Sequence, residues 1–167
     1  KKVGAGVVEK ISLLISAVNG DSVLGAGGTR IVSKSFISEK TSIDFESFVK
    51  SRFSVRDFSE QKVDSSLILK AIDQARYTPS VCNRQSWKVY VIDQNNKELK
   101  SKFLRVQNGN KGFGEAIDTL LIVTGKLSSF FSYERNQVFI DGGMFSMNLL
   151  LALHAAGLGT CCLNTSY

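Results

Sequence analysis

Two arginines four residues apart, in Arg52-Phe53-Ser54-Val55-Arg56, form the stretch of the sequence best suited to chemistry. Two guanidinium groups with a hydroxyl between them can surround a phosphate through charge-assisted, bidentate hydrogen bonds. A second stretch is Pro79-Ser80-Val81-Cys82-Asn83-Arg84-Gln85-Ser86-Trp87. Its small and amide side chains offer donors and acceptors for the edge of a heterocycle, and Trp87 can anchor it to a core. A third runs from Gln137 through Asp141-Gly142-Gly143 to Gly157-Leu158-Gly159-Thr160-Cys161-Cys162-Leu163-Asn164. A glycine-broken turn there lets backbone amides approach a planar ligand closely. Taken singly, the three also read as a solvated basic turn, a polar loop and plain core packing.

The usual side-chain catalysts are missing. His154 is the only histidine and sits among Leu151, Leu153 and Ala155, which suits a core or interface histidine better than a base or a ligand. No Ser-His-Asp order can be drawn that does not depend on it. Cys161 and Cys162 are adjacent and lack the gap that lets paired thiolates share a zinc. The sequence therefore predicts no catalytic side chain and no metal site, and an enzyme built on it needs a bound cofactor as its reactive centre. The net charge of +6 favours anionic partners, but Lys and Arg are spread along the chain and most Phe fall in predicted core, so no nucleic-acid surface is expected. Three cysteines form no disulfide framework and suit a reducing compartment. No signal peptide is recognisable, and a cytoplasmic location is expected.

The elements that must position these residues follow from periodicity. Val3, Val7, Val8, Ile11, Leu14, Ile15 and Val18 recur at helical spacing, and a Gly- and Ser-rich loop or arm follows over 20–43. Asp44 opens a short helix with Phe45, Phe48 and Val49 on one face. Asp64 caps a helix through Ala75, with Leu67, Ile68, Ala71, Ile72 and Ala75 inward. Trp87–Ile92 and Thr119–Thr124 read as strands, with a helix over Glu98–Val106 between them. Residues 142–167 contain no Asp, Glu, Lys or Arg. Glycines, Asn148 and His154 argue against a membrane span, so this stretch reads as a buried helix of about four turns followed by a short strand. A helix apolar on nearly every side belongs in a core or a subunit interface.

In this order the three chemistry-bearing stretches resemble the nitroreductase family of flavin-dependent oxidoreductases. That family has an Arg-x-Ser-x-Arg/Lys-x-Phe element, then Pro-Ser-x-x-Asn-x-Gln-Pro-Trp, then an Asp-x-Gly helix ending in Gly-Leu-Gly-Thr-Cys. Here these appear as Arg52–Phe58, Pro79–Trp87 and Asp141–Cys161. The resemblance covers residues 51–167, leaving residues 1–50 as an N-terminal helix and arm outside the family core. It implies an α+β fold with a mixed sheet flanked by helices, a homodimer with a helical interface, and FMN bound between the subunits. Arg52, Ser54 and Arg56, with Phe53 in the same element, match the positions that hold the FMN phosphate and ribityl chain. Pro79, Ser80, Val81 and Asn83 match a loop that reaches the flavin from the partner subunit. Gln137 matches a glutamine near the cofactor, and Cys162, Leu163 and Asn164 fall where backbone amides approach the flavin's reactive face.

The activity implied is transfer of hydride from NADH or NADPH through FMN to a small planar acceptor, such as a nitroaromatic or a quinone, by a ping-pong scheme. Ser86 stands where the family has proline before Trp87. Family members also continue beyond the Gly-Leu-Gly-Thr-Cys strand, whereas this sequence ends at Tyr167, so the last part of the family core is expected to be missing. A non-catalytic binding or scaffold subunit of the same fold, with weak flavin or none, is the alternative.

Overall fold

The computed structural model describes residues 31–164. The predicted first helix and the Gly25–Gly28 turn lie outside these residues. The chain divides after Ile43 into two units. Within the first, α1 spans Lys34–Lys40, where the sequence was read as loop. Ser33 overturns that reading, because its hydroxyl accepts the Phe36 amide at 3.1 Å and caps the first turn.

The second unit carries α2 (Phe45–Lys50), α3 (Ser65–Ala75), β1 (Trp87–Ile92), α4 (Lys97–Val106), β2 (Leu120–Gly125) and α5 (Gln137–Ala155). Asp64 caps α3 as expected from sequence, its carboxylate accepting the Ser66 amide at 2.8 Å, and Asp44, where a short helix was expected to start, caps α2. The inward positions of α3 are those that periodicity selects: Ile68, Ala71 and Ala75 are buried, Leu67 and Ile72 partly so. Ala71 and Ala75 are one turn apart and lack bulk, which lets α3 lie close along α5.

Helix α5 supplies the other half of the core through Phe145, Leu149 and Leu153, again at successive turns. Phe145 is 1% exposed, and the Trp87 ring stacks on it with centroids 4.8 Å apart. β1 and β2 pair antiparallel from Trp87↔Gly125 to Ile92↔Leu120. A Cβ on Gly125 would collide with Val138 of α5, so this glycine allows the end of β2 to meet the start of the helix. The expected α+β class holds, but the sheet among the described residues is antiparallel rather than mixed. Parallel pairing is confined to one bridge, Ser54↔Thr160, where a short strand was expected after the last helix.

Helix α5 is also longer than predicted, because Gln137–Asp141 forms its first turn. It is long and apolar enough by composition to cross a membrane, with mean hydropathy 1.4. In this fold it instead packs along α3 and the sheet and buries Asp141 completely. It ends at Gly157, whose φ of +76° lets the Leu158 amide turn back to the Leu153 carbonyl at 3.0 Å.

Candidate functional site

The paired-arginine segment lies at the C-terminal end of α5. The Val55 amide donates to the Thr160 carbonyl at 2.9 Å, and a Cβ on Gly159 would press within 3.3 Å of Val55. The small residue at 159 therefore leaves room for the Val55 side chain, and the backbone bond from Val55 to Thr160 fixes the arginine segment against the end of the third motif. Arg52 and Arg56 each stand two residues from Ser54, the one residue of this segment in a bridge. Neither guanidinium forms an ion pair among the described residues, while Arg56 Nη1 reaches the Ser54 carbonyl at 3.5 Å. Phe53, between them, is 69% exposed. His154 anchors this end: its Nε2 lies 2.8 Å from the Ser51 hydroxyl and its ring 5.0 Å from that of Phe48.

Beyond Thr160, the Cys162–Asn164 backbone is held by a segment that the sequence did not single out. Gln107 Nε2 donates to the Asn164 carbonyl at 2.8 Å, and Gly109 approaches the Leu163 side chain so closely that a Cβ would come within 3.3 Å of it. Asn110 Nδ2 in turn donates to the carbonyls of Leu104 and Gln107, tying the turn to the end of α4. Cys162 is exposed.

The second candidate group lies at the other end of α5. Pro79, Ser80, Val81 and Asn83 form a tight loop in which Cys82, Asn83 and Gln85 all have φ near +50°. Three non-glycine residues in the left-handed region within four positions carry strain that the surroundings must offset. The Gln85 amide donates to Ser80 Oγ at 2.9 Å and Gln85 Nε2 to the Arg76 carbonyl at 3.0 Å. Arg84 pairs with Glu134 at 2.7 Å, donates to the Ser129 carbonyl at 3.1 Å, and lies over the rings of Phe130 and Phe131. The Arg84 hydrogen bond, helped by the Phe131 amide, holds the Glu134 carboxyl below its ordinary range. From α5, Asp141 accepts the Val81 amide and the Gln137 side chain. An open cleft of about 540 Å³ runs beside the loop, lined by Arg76, Tyr77, Thr78, Pro79, Asn83 and Gln85.

The structure thus brings Arg52, Phe53, Ser54 and Arg56 beside Cys162, Leu163 and Asn164, and Pro79, Ser80, Val81 and Asn83 beside Gln137. It does not bring the two sets together. Asp141 and His154, which mark the two ends, are thirteen residues apart on one helix, which at ~1.5 Å per residue is roughly 20 Å.

Helices packed on an antiparallel sheet, with a two-arginine segment bridged just past the end of a long, mostly apolar helix and a strained loop at its start, define a nitroreductase-type α+β fold. Residues 49–125 match the model of the Nitroreductase family, which bears out the resemblance drawn from the motifs. The chain is 30% identical to the CLA biosynthesis enone reductase of Lactiplantibacillus plantarum over 105 residues, covering 60% of this chain and 48% of that protein. It is 34% identical to the 4-nitrobenzoate reductase of Pseudomonas putida over 67 residues, 40% of this chain and 30% of that one. It therefore spans about half or less of the length of these relatives. Among solved structures, a nitroreductase-like protein of Exiguobacterium sibiricum in complex with FMN superposes with a TM-score of 0.60 at 22% identity, over 70% of this chain and 72% of that one. At that identity the likeness shows the fold.

Proposed function

We propose that the protein is an FMN-dependent oxidoreductase that passes hydride from NADH or NADPH to a small planar acceptor, a nitroaromatic, quinone or enone, and does so as a homodimer. In this reading residues 51–167 form the FMN-binding domain and residues 1–50 stand outside it, in a protein of the reducing cytoplasm. The observation that carries the reading is the roughly 20 Å between the two candidate groups along α5. A planar heterocycle is far shorter than that span and cannot be ringed by both sets from one chain. A two-fold axis that packs two copies of α5 antiparallel would set one copy's Arg52 segment against the partner's Asn83 loop, twice over. The exposed side of α5 suits such packing: Ile140, Met144 and Met147 recur at helical spacing and are 53%, 39% and 43% exposed, with no charge among them.

The residues fit the cofactor by their chemistry. Two guanidinium groups without ion-pair partners among the described residues, with a hydroxyl between them in one short segment, make a donor set for a phosphate monoester. The partner's loop brings amide and hydroxyl groups for a heterocycle edge, in a backbone already fixed before any ligand arrives. The Cys162–Asn164 backbone, braced by Gln107, supplies amides at close range. FMN, when bound, accepts a hydride from the nicotinamide and hands it on. That division of labour accounts for a site without a side-chain acid or base: the chain binds, orients and excludes water, and the cofactor reacts.

Mixing two defective variants tests the whole reading. Arg52→Ala and Asn83→Ala are each expected to lose FMN when purified alone. Mixed and allowed to exchange subunits, half the dimers would be heterodimers with one intact site of two, so about a quarter of all sites should regain FMN and bleach on anaerobic addition of NADPH or NADH. No recovery from the mixture, with wild type binding FMN, would show that both groups serve one chain. A wild-type protein that stays colourless after incubation with FMN would leave the scaffold reading in its place.

A further inference from the structure

Asp141 is the only charged side chain of α5, is 0% exposed, and has no ion-pair partner among the described residues. Its carboxylate is used on two sides. The Val81 amide lies 3.3 and 3.4 Å from its two oxygens, and Gln137 Nε2 donates to Oδ1 at 2.8 Å. Both partners come from the candidate cofactor set, one from the strained loop and one from the first turn of α5. Burying a carboxylate without a counter-ion costs several kcal/mol unless hydrogen bonds offset it, so a core position would be filled more stably by an apolar side chain of similar size.

We propose that Asp141 is a positioning residue for the FMN site, which rests on the reading given above. A carboxylate only accepts hydrogen bonds, so its two partners must both donate. Val81 is thereby held at the start of the turn in which Cys82 and Asn83 take up left-handed backbone. The Gln137 amide is held with its NH2 toward Asp141, leaving Oε1, which makes no hydrogen bond among the described residues, as the group presented to a ligand donor. One buried anion thus sets the loop that reaches across the dimer and fixes which end of the Gln137 amide faces the cofactor.

Asp141→Asn tests this because it keeps the shape and replaces an acceptor with a donor. The one remaining oxygen must then serve both donors, and the new NH2 stands against either the Val81 amide or the Gln137 NH2, so at least one of the two contacts is weakened. Apo-protein titrated with FMN and followed by flavin fluorescence should show a dissociation constant raised about tenfold or more, the scale of one lost hydrogen bond to a charged group. Gln137→Met reads the same contact from the other partner, in a residue that favours helix and folds whether or not Asp141 tolerates substitution. It should also weaken FMN, and the double variant should bind no more weakly than Asp141→Asn alone. The proposal is overturned if Asp141→Asn lowers the melting temperature but leaves FMN affinity intact, if Gln137→Met binds as wild type does, or if the two losses multiply. Wild-type protein that binds no FMN would sink the cofactor reading itself and this proposal with it, an outcome distinct from the other three.

Discussion

At the C-terminal end of α5 two cationic side chains without ion-pair partners among the described residues stand on a segment held by one parallel bridge, whereas at the N-terminal end a strained loop, its one charge paired, is pinned by a buried carboxylate and that ion pair. The first end is permissive and carries charge. The second is over-determined and carries shape. A ligand with a flexible anionic tail and a rigid heterocyclic head asks for that division. Long side chains can follow a phosphate, while a planar edge needs groups already in place.

The core between the two ends sets the largest expected effect. Phe145→Ala removes the ring that stacks on Trp87 and touches both the helix pair and the sheet, and should cost about 3–5 kcal/mol of stability, read by chemical denaturation. Because Phe145 serves both ends, flavin retention should fall only as the folded fraction falls. A loss of FMN with stability intact would mean that the ends are not held by a common core.

Arg52→Ala sharpens the contrast. If this end grips a phosphate, the variant should bind FMN about tenfold or more weakly, while its affinity for riboflavin, which has no phosphate, stays near that of wild type. Equal losses for both ligands would move Arg52 from the tail to the ring. Glu134→Gln should have the smallest effect, visible mainly in acid. The Glu134 carboxyl is held below its ordinary value of 4.5 by Arg84, so its contribution is complete above that pH and is lost as the pH falls through the lowered value. The melting temperature of wild type should therefore drop more steeply on acidification below about pH 4.5 than that of Glu134→Gln. Identical profiles would remove the ion pair from the forces that pin the loop.

Helix α3 was legible to the residue, because the Asp64 cap and the spacing of Leu67, Ile68, Ala71, Ile72 and Ala75 are local signals. Both strands and the three motif segments were legible for the same reason. The helix at Lys34–Lys40 was not, since a Gly- and Ser-rich stretch hides that Ser33 is a cap rather than one more loop residue. Also hidden were the braces: Asp141 to Val81, Arg84 to Glu134 and Gln107 to Asn164 join residues 60, 50 and 57 positions apart, and no local pattern announces such a pairing. The residues expected to touch a ligand are written in motifs. Those that hold them are written in the fold.

The contact between Ser51 and His154 joins positions 103 apart, close to the full span of the second unit. During synthesis the arginine segment waits for about a hundred further residues before its anchor exists. The loop end needs a separation of only 60. The longer separation costs somewhat more entropy to close, and a chain stalled just before His154 emerges would hold the contact that pins the shaped end without the one that anchors the charged end.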